Sequence, residues 1–360
     1  MLRRLSIGLM ASAIAMAPLP TRAQDGTSED HDNVMSISLK DVVKPSIGFQ
    51  GALQGAGTPN QASIGGFLPL AVGENSVWFL DALANVNFAD RNNYSSIVDT
   101  TVDGYTISTS TRLGYRWLNG DRSWMYGVNA GYDSRPMNSG YADSGIPVED
   151  GHAFYQQIAF NIEANSDRWS LNGYGLIPLG ETTKELNWLY NGGSLQTYGL
   201  DAGYMLTSSL KVSLGGYYQK GDYNKCKARN EVSNAGIRAR ISYRITDELA
   251  AGINASYDDS FDARILVDIK YRIGLYKGKK NAEVPEAIHA MSATPGNRDI
   301  RVHDAHDFWS NMGEVFDPGG CPYVLTQYGP KMTAHGRKYG RRHPQRPFKL
   351  CVFNGSPVRC

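Results

Sequence analysis

Charged side chains recur with a spacing of two along several stretches of this 360-residue chain. Between Ala235 and Ile245, Arg238, Arg240 and Arg244 alternate with Ile237, Ala239, Ile241, Tyr243 and Ile245. Between Ala263 and Ile273, Arg264, Asp268, Lys270 and Arg272 alternate with Ile265, Val267, Ile269 and Tyr271. Arg112 and Arg116 do the same beside Leu113, Tyr115 and Trp117. Side chains two apart on a strand share one face, so each stretch presents a charged face and an apolar one. Two chemistries suit a charged face: salt links to carboxylates on neighbouring strands, or a ring of charge that selects ions in a pore. Carboxylates with the same parity are Asp81, Asp133, Glu163, Asp201, Asp258, Asp262 and Asp268, with Lys211 as a further cation. A salt-linked network is the plainer expectation.

Other residue groups carry weaker signals. His303-Asp304-Ala305-His306-Asp307 places imidazoles and carboxylates three apart, a spacing that can share a divalent ion. No further ligand or scaffold is specified, so a polar loop is expected there, with no metal and no cofactor. The cysteines are Cys226, Cys321, Cys351 and Cys360. In an exported chain they tend to oxidise, and sequence does not choose among the pairings. Cys351 with Cys360 is the nearest pair and the favoured disulfide. His152, beside Glu149 and Asp150, is the only histidine expected at a loop rim. A general base needs a nucleophile to activate, and none can be named, so a non-enzymatic chain without a nucleic-acid partner is expected.

The elements that position these residues are strands. Alternating runs lie near 45–55, 61–71, 76–89, 105–118, 123–133, 153–164, 167–179, 195–206, 209–220, 233–245, 248–258 and 261–273. Strands of about 9–11 residues, apolar on one face, mark a transmembrane barrel. Pro69 makes the second run the weakest strand, because it removes a ladder donor. Connections after even-numbered runs are tight, as at Gly73-Glu74-Asn75 and Asn119-Gly120-Asp121. Several others are long, near 90–104, 134–152, 180–194 and 221–232. Outer-membrane barrels sort their loops this way, with short periplasmic turns and longer external loops. Trp117, Trp124, Trp169 and Tyr204 gather near the short turns and Tyr132, Tyr218 and Tyr257 toward the other rim, as interfacial girdles would.

The N-terminus has Arg3 and Arg4, an apolar run from Leu5 to Leu19, and Ala23 before Gln24. That is the layout of a cleaved secretory signal over 1–23. A leader, rich in Asp, Glu and Ser at its start, follows over 24–44, then the barrel over 45–273. The fold class expected is all-β: an antiparallel up-and-down barrel of about twelve strands with an irregular C-terminal tail. Its home is the outer membrane of a Gram-negative-type cell. Its partners are outer-membrane lipid, the assembly machinery that inserts such barrels, and a cell-surface ligand for the external loops or tail.

Four segments resemble the β-domain of inverse autotransporters, the intimin and invasin family. They are Gly66-Phe67-Leu68-Pro69-Leu70, Leu113-Gly114-Tyr115-Arg116, Gly127-Val128-Asn129-Ala130-Gly131-Tyr132-Asp133, and Arg168 through Gly180. The resemblance implies a barrel whose linker, after the last strand, turns back through the lumen to the cell exterior and delivers an adhesive passenger. It places that linker over 274–312; Ala282–Ala290 suits a short helix, and 313–360 is expected to be a short, basic, cysteine-containing and disordered tail. The sequence departs from the family in having no LysM-like segment before the barrel and no immunoglobulin-like repeats after it. Two functions therefore stay open: display of a C-terminal segment, and a porin-like or structural barrel without a passenger.

Overall fold

The computed structural model describes residues 34–53, 57–89, 100–102, 104–142, 151–187, 190–225, 228–246, 248–274, 284–306, 350–353 and 356–359. The signal-like segment at 1–23 lies outside them. Contacts divide the chain after Ser36, and the unit beginning at Ile37 holds every strand. In chain order the strands are β1 (Ser46–Leu53), β2 (Gln61–Val72), β3 (Ser76–Asn87), β4 (Thr100–Val102), β5 (Thr106–Leu118) and β6 (Trp124–Ala142). Then come β7 (Gly151–Ser166), β8 (Trp169–Pro178), β9 (Thr183–Asn187), β10 (Tyr190–Ser194), β11 (Gln196–Met205) and β12 (Leu210–Lys225). The last are β13 (Ala228–Arg244), β14 (Leu249–Asp258), β15 (Asp262–Ile273), β16 (Val302–His306), β17 (Leu350–Phe353) and β18 (Ser356–Arg359).

Twelve of these close into an antiparallel barrel. Neighbours in sequence pair throughout, β6 pairs β7, and β1 pairs β15 from Ile47 opposite Ile273 to Leu53 opposite Val267. Closure matters because hydrocarbon offers no partner to an open strand edge. The alternation is inside out relative to a soluble protein: Leu113, Ile162, Leu200, Leu214, Ile237, Ile241 and Ile265 are exposed, whereas Arg112, Arg116, Asp133 and Asp268 are buried. The apolar set is the lipid-facing band. The protein is an outer-membrane β-barrel. Trp78, Tyr115, Trp117, Tyr126 and Trp124 follow one another ring to ring at the short-turn rim, with centroids 4.9 to 6.3 Å apart, and Trp169 meets Tyr204 farther round.

Pro69 does not end β2. The register against β3 slips between Pro69 and Ala71, and the strand continues. A bulge is where a strand can absorb a missing donor. The long connections are more ordered than their sequences suggested. β6 and β7 pair on to Ser139 opposite Gly151, and β12 and β13 to Lys225 opposite Ala228, so much of 134–152 and 221–232 is strand. β9 and β10 form a hairpin within 180–194. In the tail, β17 pairs β18 around the Asn354-Gly355 dipeptide, a pair of residues suited to a tight hairpin. Cys226, Cys321 and Cys360 fall outside the described residues, as does the side chain of Cys351, and with them the Cys351–Cys360 pairing.

The parity of β13 yields a paired test. Ile241 faces outward at 49% exposure, and Arg240 faces inward onto Asp268. Ile241→Arg should cost roughly 2–4 kcal/mol if it sits near the bilayer midplane. Arg240→Ile combined with Asp268→Asn should cost less, because the double change leaves neither a charge in hydrocarbon nor a buried carboxylate without its partner. Urea unfolding in lipid vesicles, followed by heat-modifiable gel migration, measures both; the reverse order would put the register out by one residue.

Candidate functional site: the barrel lumen

Five inward arginines have a carboxylate partner set by strand register. Arg112 donates to both oxygens of Asp133 at 2.7 and 2.9 Å, and Gln157 adds a donor to the same carboxylate at 2.8 Å. Arg116 Nε reaches Glu163 at 3.0 Å, and Asn129 holds the other oxygen at 2.7 Å. Arg238 grips Asp201 with two nitrogens, Nε at 2.6 Å. Arg240 spans Asp268 at 2.6 and 3.0 Å. Arg264 meets Asp258 at 3.0 Å and the Tyr217 hydroxyl at 3.1 Å, while that hydroxyl donates to Asp258 at 2.6 Å. Forked guanidinium–carboxylate pairs of this kind fix geometry as well as charge.

The remaining partners come from a segment inside the barrel. Gly274, at φ +91°, ends β15 in a conformation that favours glycine. Residues 275–283 are outside the described set. From Val284 the chain is held by lumen side chains in order. Arg244, at the short-turn rim, holds Glu286 at 2.7 and 2.8 Å, in the short helix Glu286–His289. Arg116 donates to the carbonyls of Met291 and Ala293 at 3.2 and 2.6 Å, and Arg272 to Ser292 at 2.8 Å. Arg112 donates to the Asn297 carbonyl at 3.2 Å, and Arg298 meets Asp81 at 2.5 Å. Arg135 donates to the Ile300 carbonyl at 2.6 Å, and β16 then pairs β10 beside the opposite rim. A second helix, Leu39–Val42, with Leu39 and Val42 buried, contacts the first.

Of the residues singled out by sequence, Arg112, Arg116, Arg238, Arg240, Arg244, Arg264, Asp268 and Arg272 sit in these contacts. Lys270 is exposed on the same side of β15 and lines a lumen cavity. Asp262 behaves differently: it is exposed, at φ +57° beside the β14–β15 turn. Asp268, a suggested partner for the lysines of the linker, is taken by Arg240; Lys277, Lys279 and Lys280 lie outside the described residues. The sequence reading missed Arg135, Glu286, Asn297 and Arg298. Arg135 has the parity of Asp133 but fell in a stretch read as loop. The others belong to an aperiodic segment, where spacing gives no face.

The histidine cluster becomes β16 rather than a loop, and no metal-binding group is found among the described residues. His303 packs edge-on to Phe261 with ring centroids 5.9 Å apart, and burial pushes its imidazole down to about 4. Burial also raises the Asp299 carboxyl, which accepts a hydrogen bond from Gln61 at 3.3 Å. His152 is exposed, with Nδ1 2.8 Å from Asn138 Oδ1; Glu149 and Asp150 are outside the described residues.

The sequence matches no protein-family model and no curated protein. Solved structures do resemble the barrel. One, from work on the mechanism behind in-meso crystallization of membrane proteins, has a TM-score of 0.51 at 13% identity, covering 72% of this chain and 100% of its own. An outer membrane channel from Pseudomonas putida F1 has a TM-score of 0.42 at 8% identity, covering 65% and 96%. Outer membrane phospholipase A from Escherichia coli has a TM-score of 0.32 at 13% identity, covering 68% and 96%. These likenesses are of fold. None of the three is named as an inverse autotransporter. The phospholipase corrects the expectation of a non-enzymatic chain: an enzyme stands among the barrels of this shape, so the exclusion of catalysis is withdrawn.

Two measurements probe the lumen segment. Arg298→Met leaves Asp81, 2% exposed, as a buried charge without its partner. Breaking such a pair costs about 3–5 kcal/mol. The expected result is a folded barrel whose segment 284–306 becomes protease-sensitive, with much of the protection restored by Asp81→Leu in the same chain. The second concerns pH. His303 has a folded pKa of about 4 against an ordinary 6.5, so the undocked segment binds more protons between those values. Docking is therefore at full strength above pH 6.5 and weakens as pH falls toward 4. Proteolysis at stepped pH should show this, and His303→Phe should remove the part of the dependence that belongs to the imidazole.

Proposed function

We propose that this outer-membrane barrel carries its own C-terminal chain through its lumen and holds it at the cell surface, as a display or translocator barrel. The observation that supports this is the run of contacts from Glu286, at Arg244, to β16, paired with β10. With twelve antiparallel strands, β15 ends at the rim where β1 begins. Short turns face the periplasm in barrels of this class, so a segment running from the Arg244 rim to the β9–β10 hairpin travels outward. The inverse-autotransporter resemblance supports the same direction. Assembly machinery and a surface ligand for the exposed chain are the partners this reading brings.

A second reading, a porin-like barrel, is supported by a lumen cavity of about 480 Å³ alongside the segment. The channel among the similar structures sides with it. Under this reading the segment is a fixed constriction and the tail need not reach the surface.

Protease added to intact cells, with an epitope after Cys360, separates the two. The display reading expects cleavage between residues 307 and 349 without membrane lysis. It also expects the full chain to conduct poorly in planar bilayers and a chain lacking 277–360 to conduct several-fold more. A protected epitope together with equal conductance before and after deletion would overturn display.

A further inference from the structure

Much of the lumen segment's hydrogen bonding falls on β3, β5 and β6, through Asp81, Ser110, Arg112, Arg116 and Arg135. The wall formed by β11 to β15 meets it at fewer points, chiefly Arg238 on Asn297, Arg244 on Glu286 and Arg272 on Ser292, and a cavity of about 480 Å³ is lined by this wall and the segment together. Two glycines on that wall let long cations lie flat. A Cβ at Gly203 would stand 2.8 Å from Lys211 Cε, and one at Gly252 would overlap the Arg240 guanidinium.

Eight basic and four acidic side chains line this chamber. Three of the acids are already matched: Glu163 by Arg116, Asp201 by Arg238 and Asp268 by Arg240. Lys211 and Lys270 have no carboxylate within ion-pair distance among the described residues. Both line the chamber, and Lys270 is exposed into it. Asn172, Asn254 and Ser213 add neutral donors to the lining. Cations held on a rigid wall, partly removed from water and not neutralised by the protein, attract an anion of matching size.

We propose that this chamber, with its excess of basic over acidic side chains, is a binding site for a small free oxyanion, of the phosphate or sulfate class, with Lys211 and Lys270, which make no ion pair among the described residues, as the charges that hold it. The mouth of the chamber lies in the lumen, so the ligand is a free ion rather than a lipid headgroup. The proposal is independent of whether the C-terminal chain reaches the cell surface.

The test uses the full chain in a maltoside detergent, with inorganic phosphate titrated by calorimetry at constant ionic strength. Saturable binding is expected, weakened about tenfold by Lys211→Met and by Lys270→Met, as expected from losing a charge-assisted contact. Heat-modifiable migration reports whether each variant is folded. If either methionine variant fails to fold, Lys211→Gln and Lys270→Gln replace it with the same expectation. An octyl-phosphate probe, whose chain does not suit an enclosed polar chamber, should bind more weakly than inorganic phosphate. No saturation, equal affinity in the folded variants, or tighter binding of the alkyl phosphate would each overturn the proposal.

Discussion

The constraint on which the structure depends is that backbone polar groups inside a bilayer must find partners in the protein. The β1–β15 seam is where the chain meets it. Ile47 through Leu53 pair with Ile273 back to Val267, so the first and last strands have no open edge. Closure then dictates the rest of the pattern. One side of each strand must be apolar for lipid, and all ionisable side chains of the wall must face the lumen or leave at a rim. That is why Ile237 and Ile241 are exposed while Arg238 and Arg240, one residue on or back, find Asp201 and Asp268.

A lumen filled with guanidinium groups poses its own problem. Each offers five donors, and a carboxylate satisfies two of them at best. The segment 284–303 supplies acceptors that the strands offer sparingly, because most strand carbonyls are engaged in the ladder; the Thr111 carbonyl, 2.8 Å from Arg112, is an exception. Arg112, Arg116, Arg135 and Arg272 all donate to its backbone carbonyls. The segment in turn gains a place for a chain with little regular structure. Its bare carbonyls need donors, and the wall has donors to spare. The wall and the segment are thus complementary in hydrogen-bonding type as well as in charge.

This explains what the sequence made legible. Period two specified the barrel strands and which arginines faced inward, because one-sided alternation leaves a strand no other register. Tight turns such as Asn119-Gly120 stated where strands end. Pairing was less legible: that Arg238 meets Asp201, two strands away, depends on stagger between strands, which a single strand's pattern does not contain. The strand extensions beyond 134 and 221 were hidden because they leave the hydrocarbon, where alternation is no longer enforced. In the segment itself no periodicity exists to be read, so Glu286, Asn297 and Arg298 carried no signal beyond their charge and polarity.

The asymmetric position of the segment follows from the same accounting. On the β5–β7 wall, Arg112 and Arg116 are nearly fully buried, and each combines a carboxylate with a carbonyl of the segment. Those carbonyls are held to the wall by charge-assisted bonds, stronger than neutral ones. Arg240 on the opposite wall lies over Gly252, with both its terminal nitrogens on Asp268 and Nε on Ser242, 2.9 Å away. Arg238 beside it does reach the segment, at Asn297 Oδ1 3.0 Å away, and Arg272 reaches the Ser292 carbonyl, so the segment is tied to both walls while most of its bound carbonyls face the β5–β6 side. The space left over is lined by Lys211 and Lys270, which make no ion pair among the described residues.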